Sequence, residues 1–339
     1  MRQLQTNLQM ERNNNPTRLE VLREVDKRNG LEQQEALQQE LGRLEKGQNG
    51  EQILLDYLNK YGENQWSVLQ NTWLNYYGDF ECDLLLLTRT QLYLFEVKNY
   101  SASFTFLNNQ CLINQQKISH NAISQGQRNT INLERIFQNS STPFKITGAI
   151  IFINADNKVT IHDKVASVQI ISRNELRDFI WEISRSEHST NHQTINENKV
   201  LKILNEYATT NPYTPDTITE EICKQVQKGI CCCHCHNFDI STNKSYFICP
   251  CGMHEPREEA IVRTICEYGV INYQKYLTTP ELTQFFNGDI SRNSILKYLN
   301  KHFEKLGTGR SAKYLNKKLP FEKIKDNFQI TDKKYYVFK

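Results

Sequence analysis

The sequence lacks any apolar run long enough to cross a bilayer. Stretches such as Leu84 to Leu87 fall far short of the roughly 20 residues that a spanning helix requires, so no membrane span is expected. Met1 to Pro16 is polar and rich in Gln and Asn, without the apolar core of a secretory signal, which makes a cytoplasmic location the default. A charge excess of one sign is also missing. With 41 Lys and Arg against 38 Asp and Glu, the formal charge is only +3, and any site for a polyanion must be local. There is no internal repeat.

What is present points to a modular soluble chain. Its 339 residues exceed the usual size of one domain, so two or three compact units are expected. Hydrophobic residues at 38% and aromatics at 10% suffice for an ordinary core. Seven of the ten cysteines lie between Cys223 and Cys251, and such clustering without a secretion signal favours metal binding over disulfides.

Residues 1–46 read as a helical N-terminal extension. Leu19, Leu22 and Val25, then Leu37, Leu41 and Leu44, recur at spacings of three and four, which predicts two short helices broken near Asn29-Gly30 and packed on the next domain. Residues 47–183 alternate helical and strand patterns. Helices are expected at Gly50 to Tyr61 and Ser124 to Phe137, with strands at Trp66 to Thr72, Asp83 to Thr88, Leu92 to Lys98, Thr147 to Ile153 and Ala166 to Ile171. Residues 184–221 hold a linker, polar over Ser184 to Glu197, and a helix near Lys199 to Tyr207. A cysteine-rich module at 222–256 and a helical region at 257–339 follow.

The chemistry is concentrated between Asp83 and Lys98, where two apolar strands flank a short turn at Arg89-Thr90. Pairing Thr88 with Gln91 sets Asp83 opposite Glu96, and strand alternation then turns Asp83, Glu96 and Lys98 to one face. Charged groups amid apolar strands are costly to bury unless they are paired or bind a metal. Two converging carboxylates suit a hard divalent ion such as Mg²⁺ or Mn²⁺, with Lys98 placed to hold an attacking water or offset phosphate charge. An isolated Glu-x-Lys would more often be an exposed ion pair of little consequence. Glu51 alone would be an acid favourable to the first turn of a helix, and Gln125 alone a polar residue near another helix start.

Further residues complete a pattern. Gly47-x-x-Gly50-Glu51, Glu81-Cys82-Asp83, Phe95-Glu96-Val97-Lys98-Asn99-Tyr100 and Asn121-x-x-x-Gln125 occur in this order, and together they resemble the nuclease-related domain, NERD, of the PD-(D/E)XK nuclease superfamily. The resemblance covers about Gly47 to Asn154. It implies a restriction-endonuclease-like mixed α/β sheet flanked by helices and a metal-dependent nuclease acting on phosphodiester bonds, with DNA as the expected substrate. By the same resemblance Glu51 is a helix acid lining the site, Asp83 the central metal ligand, Glu96 and Lys98 the Glu-x-Lys pair, and Gln125 the polar residue of the next helix. Two positions depart from the family pattern. Ala122 stands where proline is frequent, and Glu81-Cys82 replaces a pattern that often has glutamine before the aspartate. A non-cleaving nucleic-acid-binding adaptor is the rival expectation, and a homodimer is one way in which both strands of a duplex could be cut.

Cys232-x-x-Cys235 and Cys249-x-Cys251 read as two thiolate turns closing a structural Zn²⁺ site in a small zinc ribbon, since four thiolates leave no open position for catalysis. Cys231, Cys233, His234, His236 or His254 could replace one of the four. Farther on, Thr278 to Phe286 and Ser291 to Phe303 resemble a helix-turn-helix pair. Arg292, Lys297, Lys301, Lys305, Arg310, Lys313, Lys317 and Lys318 give its second helix and tail a basic character suited either to phosphate contact or to a solvated surface.

Overall fold

A computed structural model describes every residue except 5–14, 120, 139–144, 189–193, 214, 310–311, 329–335 and 338–339. The chain divides into two compact units, one of Met1–Asn13 with Arg43–Pro212, the other of Asn14–Gly42 with Tyr213–Lys339. Strand β1 (Arg2–Gln3) is followed by helix α1 (Arg18–Asp26) and by α2 (Glu35–Tyr61), a single helix of 27 residues. The break near Asn29-Gly30 falls where expected, with Asn29 at φ 59°. A second helix start at Gly50 does not occur, because the Leu and Gln-rich stretch before it keeps helical spacing straight through Gly47 and Gly50.

The first unit is built on strands β2 (Ser67–Asn75), β3 (Asp79–Leu87), β4 (Gln91–Lys98), β5 (Phe104–Leu107), β6 (Gln110–Ile113) and β7 (Gln116–Lys117), helix α3 (Ala122–Gln138), strands β8 (Lys145–Phe152), β9 (Val159–Ile161) and β10 (Val168–Ser172), and helices α4 (Arg173–His188) and α5 (Glu197–Tyr207). Its main sheet has the order β1-β2-β3-β4-β8-β10. Strands β2, β3 and β4 are antiparallel, whereas β8 and β10 continue from β4 in parallel, giving a mixed sheet. A smaller sheet, β7-β6-β5-β9, stands beside it.

Because the sheet is covered on both faces, its central strands read as apolar runs. Leu84 and Leu86 of β3, with Tyr93 and Phe95 of β4, pack with Leu54 and Leu58 of α2 and Phe179 and Ile180 of α4. Leu85 and Leu87, with Leu92 and Leu94, pack on the other side with Leu133 and Ile136 of α3 and Val200 and Leu204 of α5. Each such buried side chain contributes about 1.5–3 kcal/mol. Helix α4 runs through Ser184–His188, a stretch expected to be linker. Leu176, Phe179, Ile180 and Ile183 bury one face of it and carry the helix into the polar tail, where Glu187 accepts from Trp66 Nε1 at 2.7 Å.

In the second unit, helix α6 (Glu220–Gln225) precedes the cysteine turns and strands β11 (Ser241–Thr242), β12 (Tyr246–Ile248) and β13 (Met253–Pro256), to which Tyr336–Val337 adds a fourth strand. Helices α7 (Arg257–Ile271), α8 (Thr279–Phe285) and α9 (Arg292–His302) and a hairpin of β14 (Lys305–Leu306) and β15 (Lys313–Tyr314) follow. Helix α1 packs here, its Val21 against Val270 and Tyr273. Beside it lies a buried charge network. Arg28, fully buried, pairs with Glu267, donates to Gly229 O at 2.9 Å and lies over the Phe285 ring. Lys27 and Arg263 also pair with Glu267, and Arg263 bridges to Glu255 at 2.7 Å. Burial alone would raise the Glu267 carboxyl, but Arg263, Lys27 and Arg28 outweigh it and hold it well below the usual carboxylate range.

Removing this one carboxylate leaves the buried Arg28 and Arg263 and the partly buried Lys27 short of a partner, so Glu267→Ala should cost the second unit about 3–5 kcal/mol. All three tryptophans, Trp66, Trp73 and Trp181, lie in the first unit. Urea unfolding followed by far-UV circular dichroism should therefore shift in the variant while the tryptophan-emission transition stays in place. An unshifted dichroism curve would show the network to be energetically idle.

Candidate active site

The β3–β4 hairpin has the register that the strand pattern implies. Thr88 N–H donates to Gln91 O at 3.0 Å, Leu87 faces Leu92 and Leu84 faces Phe95, so the next pair outward is Asp83 and Glu96. The Asp83 carboxylate reaches across the strands, its Oδ2 accepting from Val97 N–H at 2.8 Å. Lys98, two residues beyond Glu96 and hence on the same face, donates from Nζ to Glu96 Oε1 at 2.7 Å and to Gln125 Oε1 at 3.2 Å. Glu96 is 1% exposed, and its Oε2 is buried without a hydrogen-bond partner among the described residues.

Helix α3 delivers Gln125 by a simple device. Asn121 caps the helix, its Oδ1 accepting from Ser124 N–H at 2.9 Å, and Gln125 N–H closes the first turn onto Asn121 O at 3.0 Å. The Asn121-x-x-x-Gln125 spacing is thus a cap and the side chain one turn later. Ala122 occupies the first helical position, where proline is tolerated because the missing N–H has no helical acceptor, so alanine preserves the start. Gly126 lets α3 lie close to β8, because a Cβ there would stand 2.8 Å from Ile150 Cγ1.

Glu51 comes from the middle of α2, not from a first turn, so a favourable helix dipole does not account for it. Gly50 beside it allows the helix to approach the ends of β4 and β8, since a Cβ would meet Asn99 Cβ at 3.0 Å and Ile153 Cγ2 at 3.1 Å. Gly47 has no such close neighbour. Burial, with Asp83 and Glu81 nearby, pushes the Glu51 carboxyl up to about 8, partly offset by a hydrogen bond from Asn71. Asn71 sits in β2 level with Asp83 and adopts φ 46°, a left-handed conformation that asparagine accommodates better than most residues.

Glu81 belongs to the same group, although the strand reading treated it only as a departure from a motif. It lies two residues before Asp83 and shares its face, a relation that period-two alternation already contained. Burial and Asp83 push Glu81 to about 7, and burial and Glu96 push Asp83 to about 7. Glu96 is raised as well, burial outweighing Lys98. Burial would lower Lys98, but Glu96 and Asp83 keep its ammonium charged. Glu51, Glu81, Asp83 and Glu96 therefore act on one another's titration beside Lys98, an arrangement that additional positive charge would relieve. Asp83 and the unsatisfied oxygen of Glu96 are oxygen donors of the kind a hard divalent cation takes, so the residues present fit such an ion.

Among the described residues, the cysteine module is the one place where three or more ligand groups of metal type gather. The ligand atoms of Cys232, Cys235, Cys249 and Cys251 all lie within 4.8 Å of one another. Sulfur separations are 3.7 Å for Cys232 and Cys251 and 3.5 Å for Cys235 and Cys249, close to the roughly 3.8 Å between sulfurs on a tetrahedral ion bonded at about 2.3 Å. The first turn folds onto its own sulfur, with His234 N–H 3.4 Å from Cys232 Sγ. Gly252 (φ 92°) follows the second turn, its N–H bonding Cys249 O at 2.9 Å. Cys231 is turned toward Glu267 and Arg263, outside the cluster.

A mixed sheet thus carries several acids and a lysine at the open end of its central hairpin. Residues 46–153 match the family model for the nuclease-related domain, about a third of the chain and the stretch that holds all of these groups. No curated protein and no solved structure is matched.

Metal analysis of the purified protein should find one tightly held ion per chain that survives gel filtration. Replacing Cys235 and Cys251 together by serine should release it and lower the melting temperature of the second unit. An unchanged metal content in that double variant would rule out the four-thiol cluster as its holder.

Proposed function

We propose that residues 47–183 form a metal-dependent nuclease of the PD-(D/E)XK kind, with a restriction-endonuclease-like fold, hydrolysing phosphodiester bonds with DNA as substrate. The observation that carries this reading is the convergence of Asp83, Glu96 and Lys98 on one face of the β3–β4 hairpin, with one oxygen of Glu96 buried and unsatisfied. The nuclease-related match over residues 46–153 supports the reaction class.

Asp83 and Glu96 would hold Mg²⁺ or Mn²⁺, which when bound polarises a phosphoryl oxygen and lowers the pKa of water. Lys98, kept protonated by its acidic neighbours, offsets charge on the scissile phosphate or orients the attacking water. Gln125 fixes the Lys98 side chain through its 3.2 Å hydrogen bond. Glu51 and Glu81 line the mouth of the site and add to its demand for positive charge. In the second unit, Cys232, Cys235, Cys249 and Cys251 would hold a structural Zn²⁺, since small sheets of two to four residues per strand bury too little apolar surface to be stable alone.

Glu96→Ala and Lys98→Ala should each reduce Mg²⁺- or Mn²⁺-dependent cleavage of duplex or single-stranded DNA at least 100-fold, about 2.7 kcal/mol or more of transition-state stabilisation, with unchanged circular dichroism. Glu81→Ala should cost less, because Glu81 is not among the groups assigned to the ion. Equal cleavage by the parent and both site variants would remove the assignment. Salt-sensitive DNA binding with no cleavage under any divalent ion would make the chain an adaptor instead.

A further inference from the structure

Helices α8 and α9 are joined by Asn287-Gly288-Asp289-Ile290, where Asn287 (φ 49°) and Gly288 (φ 92°) make a sharp left-handed turn. The β14–β15 hairpin follows directly, and Leu277, between α7 and α8, pairs antiparallel with Tyr314 of that hairpin. Helix, a single bridging residue, helix, helix and hairpin follow the order of a winged helix-turn-helix. Helix α9 buries Ile295, Tyr298 and Leu299 and exposes Arg292, Asn293 and Lys297.

We propose that α9 and the β14–β15 hairpin form a binding surface for duplex DNA, with α9 entering the major groove. Charge complementarity argues for this occupant. Residues 288–318 hold eight Lys and Arg against two Asp and Glu, an excess of six positive charges in a chain whose total is +3, so the remainder is net negative. The structure also sorts these residues. Lys301 is committed to Glu258 at 2.6 Å, Lys317 lies 4.2 Å from the centre of the Phe328 ring, and Lys318 donates to Asn15 at 3.1 Å. Arg292, Lys297, Lys305 and Lys313 are exposed on the helix and hairpin, the ammonium groups of Lys297 and Lys313 standing 5.2 and 5.7 Å from the centres of the Tyr298 and Tyr276 rings, whereas Asp289 accepts from Ile230 N–H at 2.5 Å. Arg310 lies outside the described residues.

Groove dimensions select DNA over RNA. A helix about 10–12 Å across matches the roughly 12 Å major groove of B-form DNA, whereas the deep, narrow major groove of A-form RNA excludes it. Arg292 and Asn293 stand in the first turn of α9, the part of a second helix that meets base edges; the guanidinium can donate twice to guanine, and the amide can donate to and accept from adenine. Lys297, Lys305 and Lys313 are placed for phosphates. This surface is independent of whether the first unit cleaves.

The test uses the full-length protein without added divalent cation, so that binding is read apart from cleavage. Fluorescence anisotropy with a labelled duplex of about two helical turns is compared between the parent and a Lys297→Glu, Lys305→Glu, Lys313→Glu triple variant over a range of salt. The variant should bind at least 10-fold more weakly, and the slope of log K against log salt should fall by about 2.7, roughly 0.9 per lost phosphate contact. Its melting temperature should stay near the parent's, because all three side chains are exposed and the ring contacts of Lys297 and Lys313 are surface ones. The proposal fails if the variant keeps the parent's affinity and salt slope, or if the parent prefers duplex RNA or single-stranded DNA to duplex DNA.

Discussion

The two-residue alternation of the β3–β4 hairpin is the constraint on which the first unit's chemistry depends. Odd-numbered β3 residues and even-numbered β4 residues share a face, and that face changes from leucine to carboxylate where the strands leave the apolar core. Shifting the pairing by one residue would turn Asp83 into the layer of α2 and α4 and separate it from Lys98. The hydrophobic runs oppose such a slip, since Leu84 to Leu87 and Leu92 to Phe95 are packed on both sides and set by the Thr88–Gln91 closure. Packing energy spent on the core thus also fixes the geometry of the acids.

Much of this arrangement was legible in the chain. The strands carrying Asp83, Glu96 and Lys98, the helix carrying Gln125 and the four cysteines all had patterns set by local rules of alternation, capping and ligand spacing. Glu81 was equally within reach, because it obeys the same alternation as Asp83. Asn71 was not, because its part depends on a left-handed backbone kink within a strand, which only the partner strand and Glu51 make worthwhile. The small sheet of β5, β6, β7 and β9 was also missed, its strands being only two to four residues long and dependent on pairing for their existence.

Elsewhere, the misread features were those in which tertiary packing overruled local composition. A polar stretch after Ile183 looked like linker until Glu187 found Trp66. Glycines at 47 and 50 looked like a helix start, yet Gly50 serves close approach to β4 and β8 inside a continuous helix. The basic tail looked uniform, while the fold ties Lys301 to Glu258 and Lys318 to Asn15 and leaves Arg292 and Lys305 at the surface.

The order of the units along the chain has its own consequence. The segment holding Lys27 and Arg28 belongs to the same unit as Glu267, although strands β2 to β10 are translated between them. A ribosome therefore releases the nuclease-related segment while the unit around the cysteine turns is still missing most of its residues, and that early helix must wait, with its cations in water, for a partner some 240 positions later. Any fragment begun at Tyr213 to isolate the cysteine module would inherit Glu267 and Arg263 but forfeit the N-terminal piece of its own interior.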